Sequence, residues 1–83
     1  MRLQVITPQG TILDLPVASV TVPGAKGRFT ILPHHAPIVS TLAAGEIAYE
    51  EEGSGGREGR VAVTAGAVHV ADNLIKIIGL CEK

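Results

Sequence analysis

Apolar and polar residues alternate in short runs along most of the chain. The runs are Leu3-Gln4-Val5, Ser19-Val20-Thr21-Val22, Arg28-Phe29-Thr30-Ile31, Glu46-Ile47-Ala48-Tyr49-Glu50 and Arg60-Val61-Ala62-Val63-Thr64. A period of two sends successive side chains to opposite faces, so each run predicts a strand with one buried face. Turn residues punctuate the runs: Pro8-Gln9-Gly10, Pro23-Gly24-Ala25-Lys26-Gly27, Ala44-Gly45, the segment Gly53 to Gly59, Gly66, and Asp72-Asn73. Short strands at such intervals predict an all-β sandwich or barrel. The run Leu74-Ile75-Lys76-Ile77-Ile78-Gly79-Leu80 is nearly continuous in apolar residues. It predicts a strand covered on both faces or one buried at an interface.

Five prolines and ten glycines leave few windows for an amphipathic helix, and at most a turn of helix fits near Ala36. The stretch Glu50-Glu51-Glu52-Gly53-Ser54-Gly55-Gly56-Arg57-Glu58-Gly59 is polar and glycine-rich between two strands, and reads as a mobile hairpin loop. Residues 1–83 read as a single domain, because a chain this short buries only roughly 60% of the surface its unfolded form exposes.

Composition narrows the core and the partners. Apolar residues make up 46% of the chain and aromatics 2%, so Val, Ile, Leu and Ala must fill the interior, which suits a pleated surface. Seven basic and eight acidic residues leave a formal charge of −1, which argues against nucleic acid as a partner. The lone Cys81 has no internal disulfide partner, which fits a cytosolic compartment. No stretch has the length of a signal peptide's apolar core or of a membrane span, so direct membrane insertion is not expected.

Candidate chemistry is sparse. Gly24-Ala25-Lys26-Gly27 has the glycines of a phosphate-binding loop, but the lysine is followed by Gly27 and a strand instead of Ser/Thr and a helix, so a tight hairpin with an exposed lysine is expected. The Gly53 to Gly59 stretch lacks the G-x-G-x-x-G spacing. His34, His35 and His69 are the only imidazoles, and neither Cys81 nor the acids complete a zinc motif around them; a structural turn is expected at His34-His35. No nucleophile elbow is present, and the carboxylates of Glu50, Glu51, Glu52 and Glu58 surround a loop that would not hold a reacting geometry. The residues predict a binding or structural module without cofactor or metal. The runner-up is a lipoyl- or biotinyl-type carrier domain, also small and all-β, with Lys26 as the attachment site. Its lysine is normally framed by Met on both sides or by Asp and Ala, whereas Lys26 stands between Ala25 and Gly27.

One stretch is specific. Gly27-Arg28-Phe29-Thr30-Ile31-Leu32-Pro33-His34-His35-Ala36-Pro37-Ile38-Val39 carries a G-x-x-x-I-x-P-x-H-A-P pattern. It resembles the epsilon-subunit family of rotary F-type ATP synthases. Further stretches agree in order: Leu3-Gln4-Val5-Ile6-Thr7-Pro8, Val20-Thr21-Val22-Pro23-Gly24, Ala44-Gly45-Glu46-Ile47 and Val63-Thr64-Ala65-Gly66-Ala67-Val68-His69-Val70. Elementary chemistry gives several of these residues a shape-making role. Gly27 re-enters a strand from a turn, Pro33 ends one, Pro37 pushes Ala36 toward an extended conformation, and Gly66 interrupts a strand as a bulge or close approach would.

The resemblance implies a roughly ten-stranded β-sandwich. It also implies a non-catalytic rotor subunit of the central stalk, bound to the gamma subunit and to the c-ring, peripheral on the cytoplasmic face of the bacterial inner membrane. Gly27, Arg28, His35, Ala36, Pro37 and Gly45 are the interface candidates, with Gly27 and Arg28 toward the ring and His35, Ala36 and Pro37 shaping the stalk contact. Two departures stand out. Some members carry an acid where this chain has Arg28, and the chain ends at Cys81-Glu82-Lys83, before the helical pair that many members add. These 83 residues are therefore expected neither to inhibit by inserting a helix nor to bind ATP.

Overall fold

The computed structural model describes residues 1–34, 36–53 and 55–81, with Cys81 by its backbone alone. Seven strands form among them: β1 (Arg2–Thr7), β2 (Gly10–Gly24), β3 (Gly27–Ile31), β4 (Ile38–Leu42), β5 (Gly45–Glu51), β6 (Glu58–Ala71) and β7 (Leu74–Cys81). No helix occurs among the described residues; Pro33 and His34 form a turn, and Ala36 and Pro37 have no regular structure.

Two strands do double duty. β2 pairs with β1 through residues 10–16 and with β3 and β5 through residues 17–24. β6 pairs with β5 through residues 58–63 and with β4 and β7 beyond that point. The register slips between Val17 and Ser19 in β2 and between Val63 and Ala65 in β6, and such bulges let a strand bend from one layer into the next. One layer is then β4, the second half of β6, β7, β1 and the first half of β2. The other is β3, the second half of β2, β5 and the first half of β6. The sandwich is as expected, but it has seven strands instead of roughly ten, because the two long strands each serve both layers without a break.

Between the layers, the alternation reads out as burial. Leu3 and Val5 of β1, Val68 and Val70 of β6, and Ile75 and Ile77 of β7 meet Val20, Val22, Ile31 and Ile47 in a core exposed by 2% or less. Branched aliphatic residues do nearly all the filling, as the lack of aromatics requires. Phe29 and Tyr49 pack only at its margin.

The β6–β7 connection is a two-residue turn at Asp72 and Asn73, with φ of 51° and 61°. Both values lie in the left-handed region that hairpin turns of this length need, and Asp and Asn tolerate it best among residues with a side chain. Asn73 also ties in the residue after Pro33. Its Oδ1 accepts from the His34 amide at 2.7 Å, and its Nδ2 lies 3.2 Å from His34 Nδ1, while His34 itself has φ of 64°. The His34 turn is thus held by a residue 39 positions away.

Candidate functional site

β7 shows why its sequence is almost continuously apolar. Ile75 and Ile77 fill the core, while Ile78 and Leu80 on the opposite face are 55% and 54% exposed. The strand is covered on one face within this chain, not on both.

Pairing places Ile78 beside Ile6 of β1 and Ala67 of β6, with Thr41 of β4 next in line, and places Leu80 beside Ala65. Up to Thr41, which ends it with a hydroxyl, these side chains form an apolar row across the outer face of the larger layer. The neighbouring row is polar: His69, Lys76, Gln4 and Asp14, with Asp14 accepting from Arg2 Nε at 2.5 Å and from Gln4 Nε2 at 3.5 Å. A strip of exposed branched apolar residues bordered by charge is the usual make-up of a protein-binding surface.

Gly27, Arg28 and Gly45 belong to one end of the molecule. Ala25 and Lys26 form the tip of the β2–β3 hairpin, and Gly27 follows with φ of 131°. This is the expected tight turn, lying between strands with no helix behind it. Arg28 is exposed, and its Nη1 donates to the carbonyl of Glu46 at 3.1 Å. A Cβ on Gly45 would press on Pro23 at 3.0 Å and only reach ordinary contact with Nη1 of Arg28 at 4.0 Å, so it is Pro23 that Gly45 accommodates.

Ala36 and Pro37 are exposed and lead into β4, whose residues 39–41 close a depression of about 540 Å³ with residues 24–29 of the hairpin. His35 lies outside the described residues. Of the expected sites, Gly27 and Arg28 line this depression while Gly45, Ala36 and Pro37 do not, and the apolar row on β1, β6 and β7 was not among them. Its signal was the near-continuous run of β7, which the interface reading of that strand already held.

Among the described residues no group of three or more His, Cys, Asp and Glu is arranged to hold a metal ion. Among these residues, too, no helix is long and apolar enough to cross a membrane.

The model of the ATP synthase delta/epsilon chain β-sandwich domain matches residues 1–80. The chain belongs to this family. It is 47% identical over 70 residues to the ATP synthase epsilon chain of Wolinella succinogenes, a match covering 84% of this chain and 52% of that one. The ATP synthase epsilon chain of Symbiobacterium thermophilum is 42% identical over 79 residues, covering 94% and 55%. Among solved structures, a chain of the Euglena gracilis mitochondrial ATP synthase OSCP/F1/c-ring assembly superposes with a TM-score of 0.86 at 29% identity, covering 94% of this chain and 49% of that one. A chain of the Tetrahymena thermophila mitochondrial ATP synthase central stalk/c-ring has the same fold, with a TM-score of 0.75 at 20% identity and coverage of 96% and 63%. The chain spans about half the length of the curated relatives it matches. Lys26 lies in the β2–β3 turn of this family's sandwich.

Proposed function

We propose that this sandwich is a non-catalytic rotor element of an F-type ATP synthase that joins the gamma subunit to the c-ring, so that rotation driven by proton flow reaches the catalytic sites as torque. The observation that carries the reading is the apolar row Ala67, Ile78, Leu80 and Ile6 on the outside of a fully formed sandwich, in a chain of the epsilon family. Such a row is costly to leave in water, at roughly 25 cal/mol per Å² of apolar surface. Gamma is the proposed cover. The ring-facing end is the one with Gly27, Arg28 and Gly45, and Ala36 and Pro37 set the path into β4 beside it.

A rigid clamp suits this role. Torque passes through a packed β core with little give, because interiors packed to crystal-like density transmit strain. The chain would sit peripherally on the cytoplasmic face of the bacterial inner membrane, held there by its partners.

The test is a pull-down with tagged chain from detergent-solubilised membranes of the source cell, followed by mass spectrometry. Recovery of gamma and c subunits is expected. Recovery of a carboxylase or dehydrogenase complex, with biotin or lipoate on Lys26, would overturn the reading in favour of the carrier domain.

A further inference from the structure

The contacts between Asn73 and His34 depend on the protonation state of the imidazole. The His34 amide donates to Asn73 Oδ1 at 2.7 Å, and a backbone N–H can only donate, so the side-chain amide of Asn73 is fixed with its oxygen toward that group. Its Nδ2 then lies 3.2 Å from His34 Nδ1 and has only hydrogens to offer. Nδ1 must therefore be the bare, accepting nitrogen, which puts the ring proton of neutral His34 on Nε2. A protonated imidazole carries hydrogens on both nitrogens, so Nδ1–H would meet Nδ2–H. Turning the Asn73 amide over does not help, because Nδ2 would then face the His34 N–H. One of the two bonds is lost whichever way the groups turn.

The surroundings do not offset that loss. The ion pairs among the described residues join the Met1 ammonium to Glu52, Arg2 to Asp14 and Arg60 to Glu46, so none sets a carboxylate against the exposed His34. On the facing hairpin the titratable groups are Asp72 in the turn and His69 and Lys76 on the strands; with Ala71 and Leu74 they line a hollow of about 260 Å³ that His34 does not line. Arg2 of β1 meets the turn through its backbone, its amide donating to the Asn73 carbonyl at 2.9 Å, while its guanidinium is held by Asp14. His34 and Asn73 both sit in the left-handed region, at φ of 64° and 61°, where a residue with a side chain is disfavoured. The turn keeps this shape through the contacts between them.

We propose that Asn73 and His34 form a pH-sensitive latch, in which neutral His34 closes the Pro33-His34 turn onto the β6–β7 hairpin and protonation loosens it. The second bond is present while the imidazole is neutral and is lost as pH falls through its titration, which for imidazole lies between about pH 8 and pH 5. The turn leads through Ala36 and Pro37 into β4, so loosening it frees the entry to that strand. The latch belongs to the chain itself and stands whether or not the chain docks as proposed above.

Nitrogen-15 NMR of the histidine rings, together with amide exchange on the purified chain between about pH 8 and pH 5, tests this. At the alkaline end His34 is expected to show a bare Nδ1 and a protonated Nε2. As the ring takes up its second proton, the protection factor of the His34 amide should fall by about threefold to tenfold, the change that one lost hydrogen bond brings. Asn73→Asp should reverse the sign, since a carboxylate accepts from both the amide and the imidazolium. Asn73→Gly, which keeps the left-handed turn, should show no response. His69→Gln and His35→Gln should keep the parent's response, which assigns it to His34. A ring proton on Nδ1 at the alkaline end, a His34 protection factor that does not change with pH in the parent, or an equal fall in Asn73→Gly would overturn the latch.

Discussion

Gly66 of β6 and Gly79 of β7 stand directly opposite each other, so close that a Cβ on either would lie 3.0 Å from the other's Cα. The same Cβ on Gly66 would come within 2.6 Å of the Ile78 carbonyl oxygen, and one on Gly79 would collide with the Ala65 carbonyl. The obstacle in each case is backbone, which cannot rotate away. The two strands therefore meet at van der Waals limits just where β6 bulges and changes layer. Gly79→Ala should destabilise the domain by about 1–3 kcal/mol, in the range of overpacking substitutions. Urea unfolding followed by circular dichroism checks it, with the midpoint expected to fall at unchanged slope.

Core truncation should cost more. Ile47 of β5 and Val68 of β6 are fully buried, in different layers. Ile47→Ala should lose about 2–5 kcal/mol, a large share of the roughly 5–15 kcal/mol available to a native domain. Thermal unfolding is the measurement, and a midpoint well below that of the parent is expected.

The Asn73 turn separates two contributions. Asn73→Gly keeps the left-handed backbone and removes the two contacts to His34, while Asn73→Ala removes both the contacts and the tolerance of φ near 61°. The alanine variant should be less stable than the glycine variant by about 1 kcal/mol. Amide exchange at His34 should quicken in both, because its donor bond is lost in both.

Much of this fold was legible from period and punctuation. The hairpin at Ala25-Lys26, the turn at Asp72-Asn73 and the alternating strands followed directly, since each depends on neighbours in sequence. Gly66 was legible as a close approach but not as the residue opposite Gly79, which requires the long-range pairing. The first half of β2 escaped the alternation reading because Pro16 sits within it. It is tolerated there: residues 10–16 have a strand ladder with β1 alone, and on its other side Pro16 only accepts, from the Glu52 amide at 3.3 Å, so its missing donor costs little. β4 escaped because Ile38-Val39-Ser40-Thr41-Leu42 does not alternate in hydrophobicity; Val39 faces out and Ser40 is half-buried. The outward-facing apolar row was visible only as an excess of Ile and Leu in β7, since joining Ile78 to Ile6 and Ala67 takes a parallel and an antiparallel register together.

The candidate residues divide along the same line. Gly27, Arg28 and Gly45 come together because one arginine spans from β3 to the start of β5, a link of 18 residues that no local pattern reveals. Gly45→Val should press on the buried Pro23 ring, which a Cβ at Gly45 would approach to 3.0 Å, and shift the amide signals around Pro23 and Glu46 by NMR.

The central claim is that the outer apolar row is a gamma-binding face, and its most direct measurement is a titration of the purified chain against an F1 head that contains gamma but lacks this subunit. The chain is predicted to bind, and the double variant Ile78→Gln, Leu80→Gln to keep its fold while losing at least about tenfold in affinity. Equal binding by the parent and a folded double variant, or no binding by the parent, would contradict the account.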